Sequence, residues 1–199
     1  MKFVSRLKMQ RTVQKARSRQ VCQKADYAEI MMNRCLVEED DYDMLVMGRT
    51  QGKGCYCFVN GLLQAQVQKL TPNYKYMVVD NEAGMEHISR GILPKVDTII
   101  LVSDCSRRGV QAVGRIAGLV KECGLNPKQI GLIVNRAPEG KLNDGTKEEI
   151  ERQGLTLFGV VPQDQEVYEY DCDGKPMTEL PENAAVKTAL YKILDSISL

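Results

Sequence analysis

Short apolar runs that stop at turn or polar residues alternate along this chain with helix-like stretches, and that alternation restricts the fold more than any other feature. The apolar runs are Asp43 to Met47, Tyr76 to Asp80, Thr98 to Ser103, Gln129 to Asn135 and Thr156 to Val161. Each has the length and β-branched content of a strand buried on both faces. Between and after them, Asp26 to Val37, Phe58 to Leu70, Gly109 to Cys123, Thr146 to Gln153 and Glu182 to Ile197 read as helices. Pro72 closes the second helix, and Gly124 with Pro127 closes the third. Strands separated by crossover helices predict an open, mainly parallel α/β sheet, in which ligands bind beyond the carboxyl ends of the strands.

With 199 residues, 43% of them hydrophobic and 27% charged, the chain has enough apolar surface for one substantial core. A net charge of +1 gives no global attraction to nucleic acid or to an acidic membrane, and neither is expected as a partner. The local exception is residues 1–24, which hold eight lysines and arginines and no acidic residue, and read as a basic arm ahead of a single domain over 25–199. No apolar stretch reaches transmembrane length and there is no secretory core segment, so a cytoplasmic location is expected. The seven cysteines are then expected to be reduced, and five of them are widely separated. Cys55 and Cys57 form a Cys-x-Cys pair.

Two stretches have the look of nucleotide chemistry. Gly48-Arg49-Thr50-Gln51-Gly52-Lys53-Gly54 follows a predicted strand, but it is one residue short of a phosphate loop and has Gly54 where the magnesium-binding hydroxyl belongs. It reads better as a turn presenting Cys55. Tyr76-Met77-Val78-Val79-Asp80-Asn81-Glu82-Ala83-Gly84 is an apolar strand delivering an acid into a small-residue loop. There Asp80 would hold magnesium or its water, and Gly84 would let the backbone approach a terminal phosphate.

Met47-Gly48-Arg49, Gly54-Cys55-Tyr56-Cys57, Val79-Asp80-Asn81-Glu82-Ala83-Gly84-Met85-Glu86-His87 and Val102-Ser103-Asp104-Cys105-Ser106-Arg107-Arg108-Gly109 together resemble the CooC-type accessory ATPases of carbon monoxide dehydrogenase maturation. These are relatives of MinD, ParA and the nitrogenase iron protein. The resemblance runs from about Lys24 to the C-terminus and implies a P-loop NTPase fold of the MinD-like type, missing the first strand and phosphate loop. It implies a homodimer in which Cys55 and Cys57 of two copies hold one nickel or zinc ion. Four soft thiolates suit tetrahedral zinc or planar nickel(II). It further implies ATP and magnesium as cofactors, with Asn135, Arg136, Pro162 and Asp164 facing the base and Gly84 the phosphates. The implied partner is carbon monoxide dehydrogenase or a related nickel enzyme.

Such proteins begin with a glycine-rich loop carrying signature lysines, which residues 1–24 do not contain, so hydrolysis by this chain alone is not expected. Three functions remain open at this level. One is nickel insertion, another is a non-enzymatic subunit pairing with a full-length relative, and the third is ATP turnover through residues 48–54.

Overall fold

A computed structural model describes residues 3–5, 30, 34–46, 57–81 and 95–197, and it divides into two units, 1–94 and 95–199. Apart from Phe3–Ser5, the expected basic arm lies outside the described residues, as do Cys55, Gly84 and the loop 48–54.

In the first unit, β1 (Phe3–Ser5), β2 (Leu36–Glu38) and β3 (Tyr42–Leu45) form an antiparallel sheet in the order β1-β3-β2. Leu36 and Val37 were expected to end a helix. They form a strand instead because the acidic turn at Asp40 and Asp41 folds them back opposite Leu45 and Met44, with the Glu39 N–H donating to the Tyr42 carbonyl at 2.9 Å. Helix α1 (Cys57–Leu70) follows, then a 3-10 turn over Thr71–Asn73 in which Pro72 ends the helix as expected. Leu45 and Leu63 are buried against each other, with Leu36 and Val67 packed around them.

Asp43 lies on the same buried face as Leu45 and is only 4% exposed. Its Oδ2 accepts a hydrogen bond from the Tyr74 hydroxyl, and its Oδ1 has no partner among the described residues. Tyr76 to Asp80, expected as a strand, has a single bridge residue at Met77 and leaves Tyr76 and Val78 exposed. An apolar run becomes a strand only where a neighbour supplies a ladder of hydrogen bonds, and among the described residues this run has none.

The second unit carries the expected parallel sheet, in the order β4-β5-β6: β4 (Thr98–Ser103), β5 (Gln129–Ala137) and β6 (Leu157–Pro162). Helices α2 (Arg107–Glu122) and α3 (Asp144–Arg152) pack on one face, where Leu101, Val110, Val113, Leu132, Val134 and Ile150 form the core. The second core, Ile133, Val161, Ile193 and Ile197, lies on the other face beneath α5 (Ala185–Ser196). The central strand β5 is buried on both faces, which is why it reads as a continuous apolar run. Gly131 belongs to that packing, since a Cβ there would sit 2.3 Å from the Phe158 ring. On β4, Leu101 and Ser103 are buried, while Ile100 and Val102 on the opposite face are 37% and 58% exposed.

Helix α4 (Gln165–Cys172) was not foreseen. Its sequence lacks a strong apolar stripe, and its start is fixed by a cap. Among the described residues no helix is long and apolar enough to cross a membrane.

Candidate functional site

The loops that leave the carboxyl ends of β4, β5 and β6 lie at one edge of the parallel sheet, where α/β proteins place their ligands. After β4, Ser103 and Asp104 turn the chain into α2. Asp104 Oδ1 accepts from the Ser106 hydroxyl at 2.6 Å and from the Ser106 N–H at 2.9 Å. These two bonds, the hydroxyl first, hold the Asp104 carboxyl below its ordinary range. The Ser106 hydroxyl in turn caps α2 by accepting from the Gly109 N–H at 3.0 Å. A Cβ at Gly109 would lie 2.4 Å from Asp104 Oδ1 and 2.5 Å from Ser103 Oγ, so any larger residue there would displace these two side chains.

After β5 the backbone is forced out of the ladder. A register shift falls between Val134 and Ala137, Arg136 adopts φ of 56° and Glu139 φ of 52°. Left-handed backbone at non-glycine residues is costly and persists where the surroundings impose it. Asn135 supports the kink, its Oδ1 accepting from the Arg136 N–H at 2.9 Å. Pro162 pairs with Ala137, and the Gln163 N–H donates to the Ala137 carbonyl at 2.8 Å. The fold thus brings Asn135, Arg136, Pro162 and Asp164, far apart in sequence, to adjacent strand ends.

Asp164 proves to be a double cap. One carboxylate oxygen accepts from the Glu166 N–H at 2.9 Å at the start of α4, the other from the Val186 N–H at 3.4 Å at the start of α5. A base-facing contact by this side chain would compete with both bonds.

Sequence reasoning missed the group that supports this edge from behind. Glu149 on α3 has a fully buried side chain. It accepts from Arg152, from Gln153 Nε2 at 2.9 Å and from Arg107 Nη2 at 3.4 Å. The hydrogen bonds from Arg152 and then Gln153 lower its pKa from 4.5 to about 2. Because the folded-state value is depressed, ionised Glu149 stabilises the fold above the ordinary 4.5, and the contribution is lost as pH falls from there through about 2. Acid titration of the melting temperature should therefore fall more steeply below pH 4.5 for the wild type than for Glu149→Gln. Parallel curves would exclude the assignment.

The remaining expected residues belong to the first unit. Asp80 is exposed at the end of its segment, and Cys57 is the first residue of α1. Among the described residues no three metal-ligating side chains come together, and that set does not include Cys55. At the carboxyl edge of β5 and β6, a carboxamide and kinked backbone suit a planar, hydrogen-bonding base. The groups that would hold phosphate or magnesium, Gly84 and Asp80, are not in this unit, so no catalytic step follows from the geometry.

Residues 14–177 match the family model described as the CobQ/CobB/MinD/ParA nucleotide binding domain. The chain is 39% identical over 176 residues to an uncharacterized ATP-binding protein of Methanocaldococcus jannaschii, an alignment covering 87% of this chain and 68% of that one. It is 26% identical over 145 residues to the carbon monoxide dehydrogenase accessory protein CooC of Rhodospirillum rubrum, covering 63% of this chain and 55% of the relative. Among solved structures, a ParA family ATPase from Chlorobium tepidum is similar with a TM-score of 0.66 at 17% identity, over 91% of this chain and 75% of that one.

Proposed function

The chain belongs to the CobQ/CobB/MinD/ParA nucleotide-binding family, and from that premise we propose that it binds an adenine nucleotide at the β5–β6 edge and a nickel or zinc ion through Cys55 and Cys57 of two copies. The observation that carries the nucleotide half is the kinked end of β5, where Asn135 and Arg136 stand beside the Pro162 loop. A carboxamide offers both a donor and an acceptor to a purine edge, and the neighbouring loop offers backbone groups. By the family resemblance, Asp80 is proposed as a magnesium-binding residue and Gly84 as a phosphate-facing one.

The metal half rests on the Gly54-Cys55-Tyr56-Cys57 element and on the likeness to a carbon monoxide dehydrogenase accessory protein. One clip supplies two thiolates and a dimer supplies four. In this reading the chain is a metal-handling maturation factor for carbon monoxide dehydrogenase or a related nickel enzyme. Residues 48–54 are one residue short of a phosphate loop, so no hydrolytic step is assigned to them.

Titration with ATP and GTP tests the nucleotide half. Asn135→Asp keeps an acceptor for the Arg136 N–H while removing the amide donor. It should weaken ATP binding about tenfold, the loss expected when a site's hydrogen bond is replaced by an unpaired group, and should narrow the preference for ATP over GTP. Unchanged ATP affinity in that variant would take Asn135 out of the site.

A further inference from the structure

We infer that Glu149 is a positioning residue for the nucleotide-facing edge: from inside α3 it holds Arg107 and, together with Thr146, fixes the loop after β4 beside the loop after β5. This rests on the nucleotide reading above and names the element that keeps its edge in shape. A buried carboxylate is a poor choice for stability alone, because desolvation offsets much of what its ion pairs contribute. Arg152 and Gln153 at the end of α3 are its nearest partners, and Arg107 on α2 adds a longer contact from another element, at 3.4 Å. Arg107 is in the first turn of α2, two residues after Cys105, and its guanidinium is reached by Glu149 across 42 residues of sequence. The stem of Arg107 runs over the start of α3, where a Cβ at Gly145 would meet its Cδ at 3.9 Å.

Thr146, 1% exposed, makes the second link, its hydroxyl donating to the Cys105 carbonyl at 2.6 Å. The Thr146 N–H is held by Asn143 Oδ1 at 2.8 Å, so the hydroxyl that reaches Cys105 is anchored to the first turn of α3. Helix α3 itself begins where the β5 loop ends, with Asn143 as its cap. One helix thereby follows directly on the Asn135–Arg136 loop and is bonded through two buried side chains to Cys105 in the loop after β4 and to Arg107 in the first turn of α2. Arg107 keeps a half-exposed guanidinium at that edge, with donors beyond the one given to Glu149.

The test compares Glu149→Gln, Thr146→Val, Thr146→Ser and, as a control of matched destabilisation, Val120→Ala in the core end of α2, all in the full chain. Amide exchange is read over residues 104–109 without nucleotide, and the ATP dissociation constant is read separately. Losing the charge-assisted bonds in Glu149→Gln, or the hydroxyl bond to the Cys105 carbonyl in Thr146→Val, should speed exchange in that loop about tenfold and weaken ATP binding to a similar degree. Thr146→Ser, which keeps the hydroxyl, should behave as wild type, and Val120→Ala should lower the melting temperature without either change. Exchange in Glu149→Gln no faster than in Val120→Ala overturns the inference. So does faster exchange with unaltered ATP affinity. If the wild type itself binds no ATP, the nucleotide reading fails first, and the exchange comparison reports separately whether Glu149 orders the loop.

Discussion

Replacing both Cys55 and Cys57 by serine should reduce bound nickel or zinc from about one ion per dimer to none, the full effect of removing all four thiolates from a tetrahedral or planar site. Serine is close in size but a hard, weakly acidic ligand, so the loss reports ligand chemistry rather than shape. Single replacements should leave a dimer with two thiolates, which binds weakly and exchanges fast. Equilibrium dialysis with each metal, read against the dimer fraction, measures all of this, and equal binding by the double variant would end the metal proposal.

Tyr74→Phe should be the most destabilising conservative change in the first unit. Among the described residues, the hydroxyl it removes makes the one hydrogen bond on Asp43 Oδ2, and Oδ1 has no partner there. Both oxygens of a carboxylate that is 4% exposed would then be unsatisfied. The expected loss is about 1.5–3 kcal/mol, that of a hydrogen bond to a charged group left unpaired. The double variant Asp43→Asn, Tyr74→Phe removes the charge as well, and should recover part of the loss. Chemical denaturation of the four proteins in a cycle isolates the coupling. Additive effects would mean that the two side chains do not act as a pair.

Asp43 on β3 and Tyr74 after α1 are joined across 31 residues of sequence that include Cys55 and Cys57.

The parallel half of the fold was legible because its strands are continuous apolar runs ended by polar residues: Thr98 to Ser103 was bounded correctly, and Gln129 to Asn135 was short by two residues. The extra pair, Arg136 and Ala137, lies past a register shift that apolar periodicity does not register. Helices α2 and α3 begin two residues earlier than expected because Ser106 and Asn143 cap them, a signal present in the sequence but outweighed by the apolar stripe. The first unit was harder to read. Leu36 and Val37 suit either a helix end or a strand, and only the fold-back at Asp40 and Asp41 decides between them. In the site, Asn135 and Pro162 lie at adjacent strand ends. The double cap at Asp164 and the buried links from Glu149 and Thr146 depend on residues 22, 42 and 41 positions apart, beyond the reach of any local pattern.

Asp164 also sets how this edge can move. Its two oxygens tie the starts of α4 and α5 to the end of β6, so those helices and the strand end form one lever. The loop after β5 has a different character: Arg136, Glu139 and Gly140 all have left-handed backbone within five residues. A pull on the Asn135 carboxamide would be taken up as torsion in that short kinked stretch, while the lever beside it turns as a piece.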